Sequence, residues 1–161
     1  VIKPFSVRVF MNELFREMEV LAARYERKNI RLLKNIRFVV DFELKTDSYY
    51  LKKALLRLID NALKFTPEGS VELGAERSKE GLVLYVNDTG IGVSSDDAQK
   101  IFEPFVQVDG SLTRSFGGSG LGLTIAKGIA EALNARLVFE SALGKGSKFS
   151  LLFGSSLLIR N

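Results

Sequence analysis

Five short blocks follow one another along this chain: Asn61 in DNALKF, Asp88 in DTGIG, Phe102 in IFEPF, the glycine cluster GGSGLGL, and Gly144 to Ser147 in GKGS. Each alone has a plain structural meaning: a solvated helix face, a turn, a pair of core aromatics, a hinge, a hairpin. Their order is what constrains the fold. A helix, a strand end, a long glycine-rich segment and a closing hairpin must converge. From Asp88 to Gly122 there is little periodicity and much glycine. A loop of that length inside a compact domain is usually functional. The chain also has no histidine and no cysteine. That excludes a disulfide framework, thiolate or ordinary zinc sites, and any Ser/His/Asp triad.

A length of 161 residues suits one domain, and 46% apolar with 26% charged residues reads as soluble and globular. No run of eighteen apolar residues is present, and the start VIKPFSVRVF has no signal-peptide layout. The formal charge of +4 is spread over interleaved acids and bases, so nucleic acid is not an expected partner, and an anionic small ligand accounts for the excess equally well.

Apolar spacing predicts an amphipathic helix over 12–28 and another over 49–65, the second stopped by Thr66-Pro67-Glu68-Gly69. A third helix is expected over about 121–133. Strand signals lie within 30–44, at 71–77 and 82–87 around the turn SKEG, and at 136–140 and 148–153. The expected fold is an α/β sandwich: a mixed, mainly antiparallel sheet covered on one face by about three helices. The domain is expected over 1–154, with 155–161 as a C-terminal tail.

The blocks carry chemistry as well as fold. The second helix leaves a narrow polar stripe of Lys53, Arg57, Asp60, Asn61 and Lys64. An amide there can offer its oxygen to Mg²⁺, which prefers oxygen ligands plus substrate phosphates, and Lys64 can meet phosphate charge. The strand LVLYV delivers Asp88 at a sheet end, followed by Gly90 and Gly92, so backbone can approach a flat ligand closely. A carboxylate there can accept from an exocyclic amine such as that of adenine. Glycines 117, 118, 120 and 122 run into a helix N-terminus, a combination suited to phosphates. The Walker A and dinucleotide fingerprints are both absent.

These residues, taken together, resemble the ATP-binding catalytic domain of sensor histidine kinases, of the Bergerat fold. The resemblance runs from Lys3-Pro4-Phe5 to about Phe153, and FVQVDGSLTRSFGGSGLGL resembles the lid of that group specifically. It implies that Asn61 holds Mg²⁺ between ATP phosphates and that Lys64 lies near them. It implies that Asp88 accepts from the adenine amino group, with Gly90 and Gly92 shaping that wall. Phe102 and Phe105 match the phenylalanine box, and Arg114 the lid arginine that reaches the γ-phosphate. Gly118, Gly120, Leu121 and Gly122 match the lid. Gly144, Gly146 and Ser147 match the last box beside the adenine. A mobile lid over about 106–119 is expected in the absence of nucleotide.

Three departures stand out. Arg57 occupies a position where the family often has a second asparagine, and a guanidinium cannot ligate a cation. It either binds phosphate or weakens magnesium binding. Asn134-Ala135 replaces a common glycine pair. The phosphoacceptor histidine and its helices are missing. The implied activity is transfer of the ATP γ-phosphoryl group to a histidine on a separate helical domain, in two-component signalling with a response regulator downstream. The expected setting is the cytoplasm, with a homodimeric parent that is either soluble or anchored in the inner membrane, and this chain itself monomeric. The rival readings are a non-catalytic nucleotide sensor, motivated by Arg57, and a Bergerat-fold serine kinase or ATPase.

Overall fold

Polar caps set the start of the first two helices in the computed structural model, which describes residues 1–26, 29–102 and 121–160. Helix α1 (Val7–Ala23) opens at Ser6, whose hydroxyl accepts from the Val9 N–H at 3.1 Å. Asp41 fixes that cap, accepting from the Ser6 hydroxyl and, at 3.1 Å, from the Arg8 N–H. The helix therefore begins at Val7 rather than at residue 12, as the apolar spacing suggested. Val7 and Phe10 are mediocre helix formers, at a cost of tenths of a kcal/mol each. Their burial with Met11, Leu14 and Met18 on one stripe outweighs that, at about 1.5–3 kcal/mol per large apolar side chain. Helix α2 (Ser48–Lys64) starts where Asp47 accepts from the Tyr50 N–H at 3.2 Å. It buries Leu51, Ala54, Leu55, Leu58, Ile59, Ala62 and Leu63. Helix α3 (Gly122–Ala132) packs against α2.

The strands are β1 (Ile2–Ser6), β2 (Ile30–Arg37), β3 (Phe42–Asp47), β4 (Gly69–Arg77), β5 (Gly81–Asp88), β6 (Arg136–Ala142), β7 (Gly146–Gly154) and β8 (Leu158–Arg160). Five of them form the expected mixed sheet, in the order β2-β4-β5-β7-β6. Only the β2–β4 pair is parallel, with Ile30 opposite Gly69; β2 and β6 are the two edges. The alternation of β4, β5 and β7 puts Val71, Leu73, Ala75, Leu82, Leu84, Val86, Phe149, Leu151 and Phe153 on one buried face under the helices. The open face carries Tyr85, whose ring crosses Gly74 and whose hydroxyl donates to Glu72 at 2.7 Å.

A second, three-stranded antiparallel sheet, β1-β3-β8, was not anticipated from sequence. Phe42 and Leu44 of β3 enter the common core. The stretch read as a tail, 155–161, contributes to this sheet as far as Arg160. A 3-10 turn at Ser155–Leu157 leads into β8, and Leu158 pairs with Leu44. Truncation after Gly154 is expected to lower the unfolding free energy by about 1–3 kcal/mol, the scale of a few strand hydrogen bonds and two half-buried leucines. Urea denaturation of the full and shortened chains measures this; equal midpoints would show that β8 adds nothing.

Candidate nucleotide-binding site

Asp88 is the last residue of β5, and antiparallel register sets it opposite Ser147 of β7. It is only 4% exposed. Its Oδ1 accepts from the Gly90 N–H at 2.9 Å and from the Ser147 N–H at 3.2 Å. Burial pushes the carboxyl up to about 6, against the opposing pull of those two N–H groups and of the Thr66 hydroxyl. A carboxylate half-stripped of water and still rich in lone pairs is a strong, selective acceptor for an N–H-bearing ligand.

The segments around Asp88 approach so closely that side chains are excluded. Gly146 has φ +98°, and a Cβ there would stand 2.0 Å from the Asp88 carbonyl oxygen. Gly92 has φ +70°, and its Cβ would stand 2.1 Å from the Ala142 carbonyl oxygen. A Cβ at Gly90 would meet the Phe65 carbonyl oxygen at 2.0 Å. The missing side chains thus face neighbouring chain segments. They let the end of α2, the loop after β5 and the β6–β7 hairpin close around one carboxylate. Two further backbone bonds lock this junction: Ile91 N–H to Phe65 C=O at 3.0 Å, and Gly144 N–H to Ile91 C=O at 2.7 Å.

The same junction brings Asn61 near Asp88. The Phe65 N–H donates to the Asn61 carbonyl at 3.1 Å, so Asn61 lies one turn, about 6 Å along the axis, from the residue that bonds the DTGIG loop. Asn61 and Lys64 are half-buried, and Arg57 is exposed. Lys64 Nζ lies 3.2 Å from Asp60, which also accepts from the Tyr25 hydroxyl. In this state Lys64 is therefore engaged within its own helix. Among the described residues no group of three His, Cys, Asp or Glu side chains is placed to hold a metal. The donor set still suits Mg²⁺ bound through one amide oxygen, the remaining ligands being phosphate and water.

Phe102 packs edge-on to Phe139 and Phe149, with centroids 6.1 Å away in both cases, and Lys127 Nζ lies 5.8 Å from its ring centre. Its carbonyl accepts from the Thr124 hydroxyl at 2.7 Å. The two described flanks of segment 103–120 are thus tied together. Phe105, Arg114, Gly118 and Gly120, and the lid expectation itself, lie outside the described residues. Leu121 and Gly122 open α3, and a Cβ at Gly122 would meet nothing within 4 Å.

Sequence reasoning missed two supports. Thr66 read as a helix stop, yet it is fully buried beside Asp88. Ser141 lies just past the strand expected over 136–140 and was not singled out. Its hydroxyl accepts from the Val93 N–H at 2.7 Å, donates to the Gly146 carbonyl at 2.8 Å and lies 2.9 Å from the Ser147 hydroxyl. A lone serine beside a Gly-Lys-Gly turn gives no pattern that would flag it.

The family model for histidine kinase-, DNA gyrase B-, and HSP90-like ATPases matches residues 46–156. The chain belongs to this family. It is 44% identical over 118 residues to the autoinducer 2 sensor kinase/phosphatase LuxQ of Vibrio vulnificus, a match covering 70% of this chain and 14% of that protein. Full-length ShkA, solved in complex with AMPPNP, superposes with a TM-score of 0.79 at 29% identity, over 96% of this chain and 31% of ShkA. The mycobacterial sensor histidine kinase MprB structure superposes at 0.74 and 25% identity, over 99% of both chains. The fold is thus the Bergerat α/β sandwich of histidine kinase catalytic domains. The chain spans only about a seventh of the LuxQ relative's length.

Two outcomes are expected from this geometry. The carboxyl of Asp88 titrates near 6 when folded, above its ordinary 3.8, so the folded state holds the proton more tightly. The cost of burying the anion is absent below about pH 4 and complete above about pH 6. Asp88→Asn, which keeps Oδ1 for both N–H donors, should therefore gain stability relative to the parent by on the order of 2–3 kcal/mol between those pH values. Denaturant unfolding at the two pH values checks it, and a pH-independent difference would contradict it. Gly146→Ala should destabilise the junction by at least about 1 kcal/mol and weaken nucleotide binding, read by thermal unfolding and titration.

Proposed function

We propose that this chain is the ATP-binding catalytic domain of a sensor histidine kinase, donating the γ-phosphoryl group of ATP to a histidine on a separate helical domain. The observation that carries the reading is the junction itself. A buried acceptor at the end of β5 is tied through Phe65 to the last turn of α2, which carries Asn61, and α3 opens after the glycine-rich segment.

Asp88 Oδ2 accepts from the adenine amino group, while Thr66, Gly90 and Ser147 hold the carboxylate in place. Gly92, Gly144 and Gly146 close the chain around the base. Asn61 would hold Mg²⁺ through its amide oxygen, and the ion would supply neutralisation of phosphate charge. Lys64 leaves Asp60 for the phosphates. Arg114 and the N–H groups around Gly118, Gly120 and Gly122 complete the cradle, with Phe102 and Phe105 docking the segment between them. The work is positioning and charge stabilisation of a loose transition state.

This chain holds no histidine, so the acceptor must come from outside these 161 residues. The histidine-bearing domain of the same protein and a response regulator are the proposed partners, and a homodimeric parent with its catalytic domains in the cytoplasm is the proposed setting. No described helix is long and apolar enough to cross a membrane.

The test mixes this chain and Mg-ATP with a histidine-bearing helical hairpin from the same organism. Acid-labile phosphate should accumulate on the hairpin. Asn61→Ala should cut that transfer by about a hundredfold or more, the scale of losing a group that stabilises transition-state charge, while adenosine still binds. ATP binding without any transfer would favour a nucleotide sensor. Rapid hydrolysis by the chain alone would favour an ATPase.

A further inference from the structure

The polar stripe of α2 carries two exposed cations without a partner among the described residues, Lys53 and Arg57, and Arg57 is the one that stands a single turn from Asn61. Arg57 is exposed, and among the described residues it makes no ion pair or hydrogen bond. Two neighbouring lysines are committed. Lys52 pairs with Glu17 at 3.4 Å, and Lys64 pairs with Asp60 at 3.2 Å. Asp60 is the acid nearest to Arg57 on the helix, and it already accepts from Lys64 and from the Tyr25 hydroxyl. No other acid lies on α2. Among the described residues, nothing holds the guanidinium.

Its position is defined by the helix. At about 100° per residue, Arg57 falls roughly 40° from Asn61 and 20° from Lys64, one turn before Asn61. Arg57 and Asn61 therefore share one face of the helix. Asn61 in turn is tied through Phe65 to the loop that carries Asp88. A polyanion that runs from Asp88 past Asn61 and on along this face comes within reach of a planar fork of five N–H donors, which suits phosphate oxygens in a two-point contact.

We propose that Arg57 is a phosphate-binding residue: its guanidinium bonds the terminal phosphates of the nucleotide directly and carries part of the charge neutralisation otherwise left to a divalent cation. This rests on the nucleotide reading above. It has a consequence that a solvated arginine lacks. Nucleotide affinity should persist to a measurable degree in the absence of magnesium, and that residual affinity should depend on Arg57.

Calorimetric titration of this chain with AMPPNP and with adenosine, each in magnesium and in EDTA, tests it alongside Arg57→Gln and Arg57→Lys. Arg57→Gln should lose about tenfold in AMPPNP affinity in EDTA, and clearly less with magnesium, while adenosine affinity is unchanged. Arg57→Lys, which keeps the charge and loses the fork, should fall between. Equal AMPPNP affinity for parent and Arg57→Gln in EDTA would overturn the proposal and leave the nucleotide site intact. So would an equal loss under both conditions, or a loss shared by adenosine, since either marks a structural effect. Failure of the parent to bind adenosine or AMPPNP at all would overturn the nucleotide reading as well.

Discussion

A single carboxylate taken out of water organises one end of this molecule. Asp88 could not stay buried without donors, and the two backbone N–H groups that reach it come from segments far apart in sequence. For Gly90 and Ser147 to reach the same oxygen, the loop after β5 and the start of β7 must nearly touch. That contact is closer than any side chain permits, which makes Gly146 a requirement of the acid's position. Thr66 closes the remaining side from the end of α2. The site is therefore a product of close packing, and its electrostatics follow from the same packing. The backbone holds the acid in place, while burial keeps its proton affinity high.

Helix α2 links this acid to the rest of the core. Its inner face supplies seven buried residues. Its outer stripe supplies Asn61, Lys64 and Arg57, and its C-terminal carbonyl at Phe65 accepts from Ile91. One rigid element thus sets both the depth of the core and the distance between amide and carboxylate. Such an element gives finer positional control than a loop.

Much of this was legible in the sequence because two signals coincided. In α2 the apolar stripe fixed the helix, and the residues left over defined the polar face. In β5 the run LVLYV ended on Asp88, so strand alternation and motif agreed. The first helix was harder to read, because its opening turn contains Val7, Val9 and Phe10, which resemble strand residues until the Ser6 cap and the core are known. Strand β1 was hidden by Pro4, which is tolerated only because β1 is an edge. Strand β8 has three residues and no period to detect. Thr66 and Ser141 act through single hydroxyls whose partners are distant in sequence, and no local pattern reveals such bonds. Gly90, Gly92 and Gly146 were read as shaping a ligand wall and a closing turn. Their role as points of chain crossing needed coordinates.

Among the described residues the parallel strand β2 leaves one edge of the main sheet unpaired, and Arg31, Lys34 and Arg37 are spaced along its eight residues. Placed edge to edge with a second copy, the two rows would oppose six positive charges. Like-charge repulsion of that kind guards an open ladder against sheet extension and fibre growth. An unfinished sheet can therefore persist at the molecule's margin without becoming sticky there.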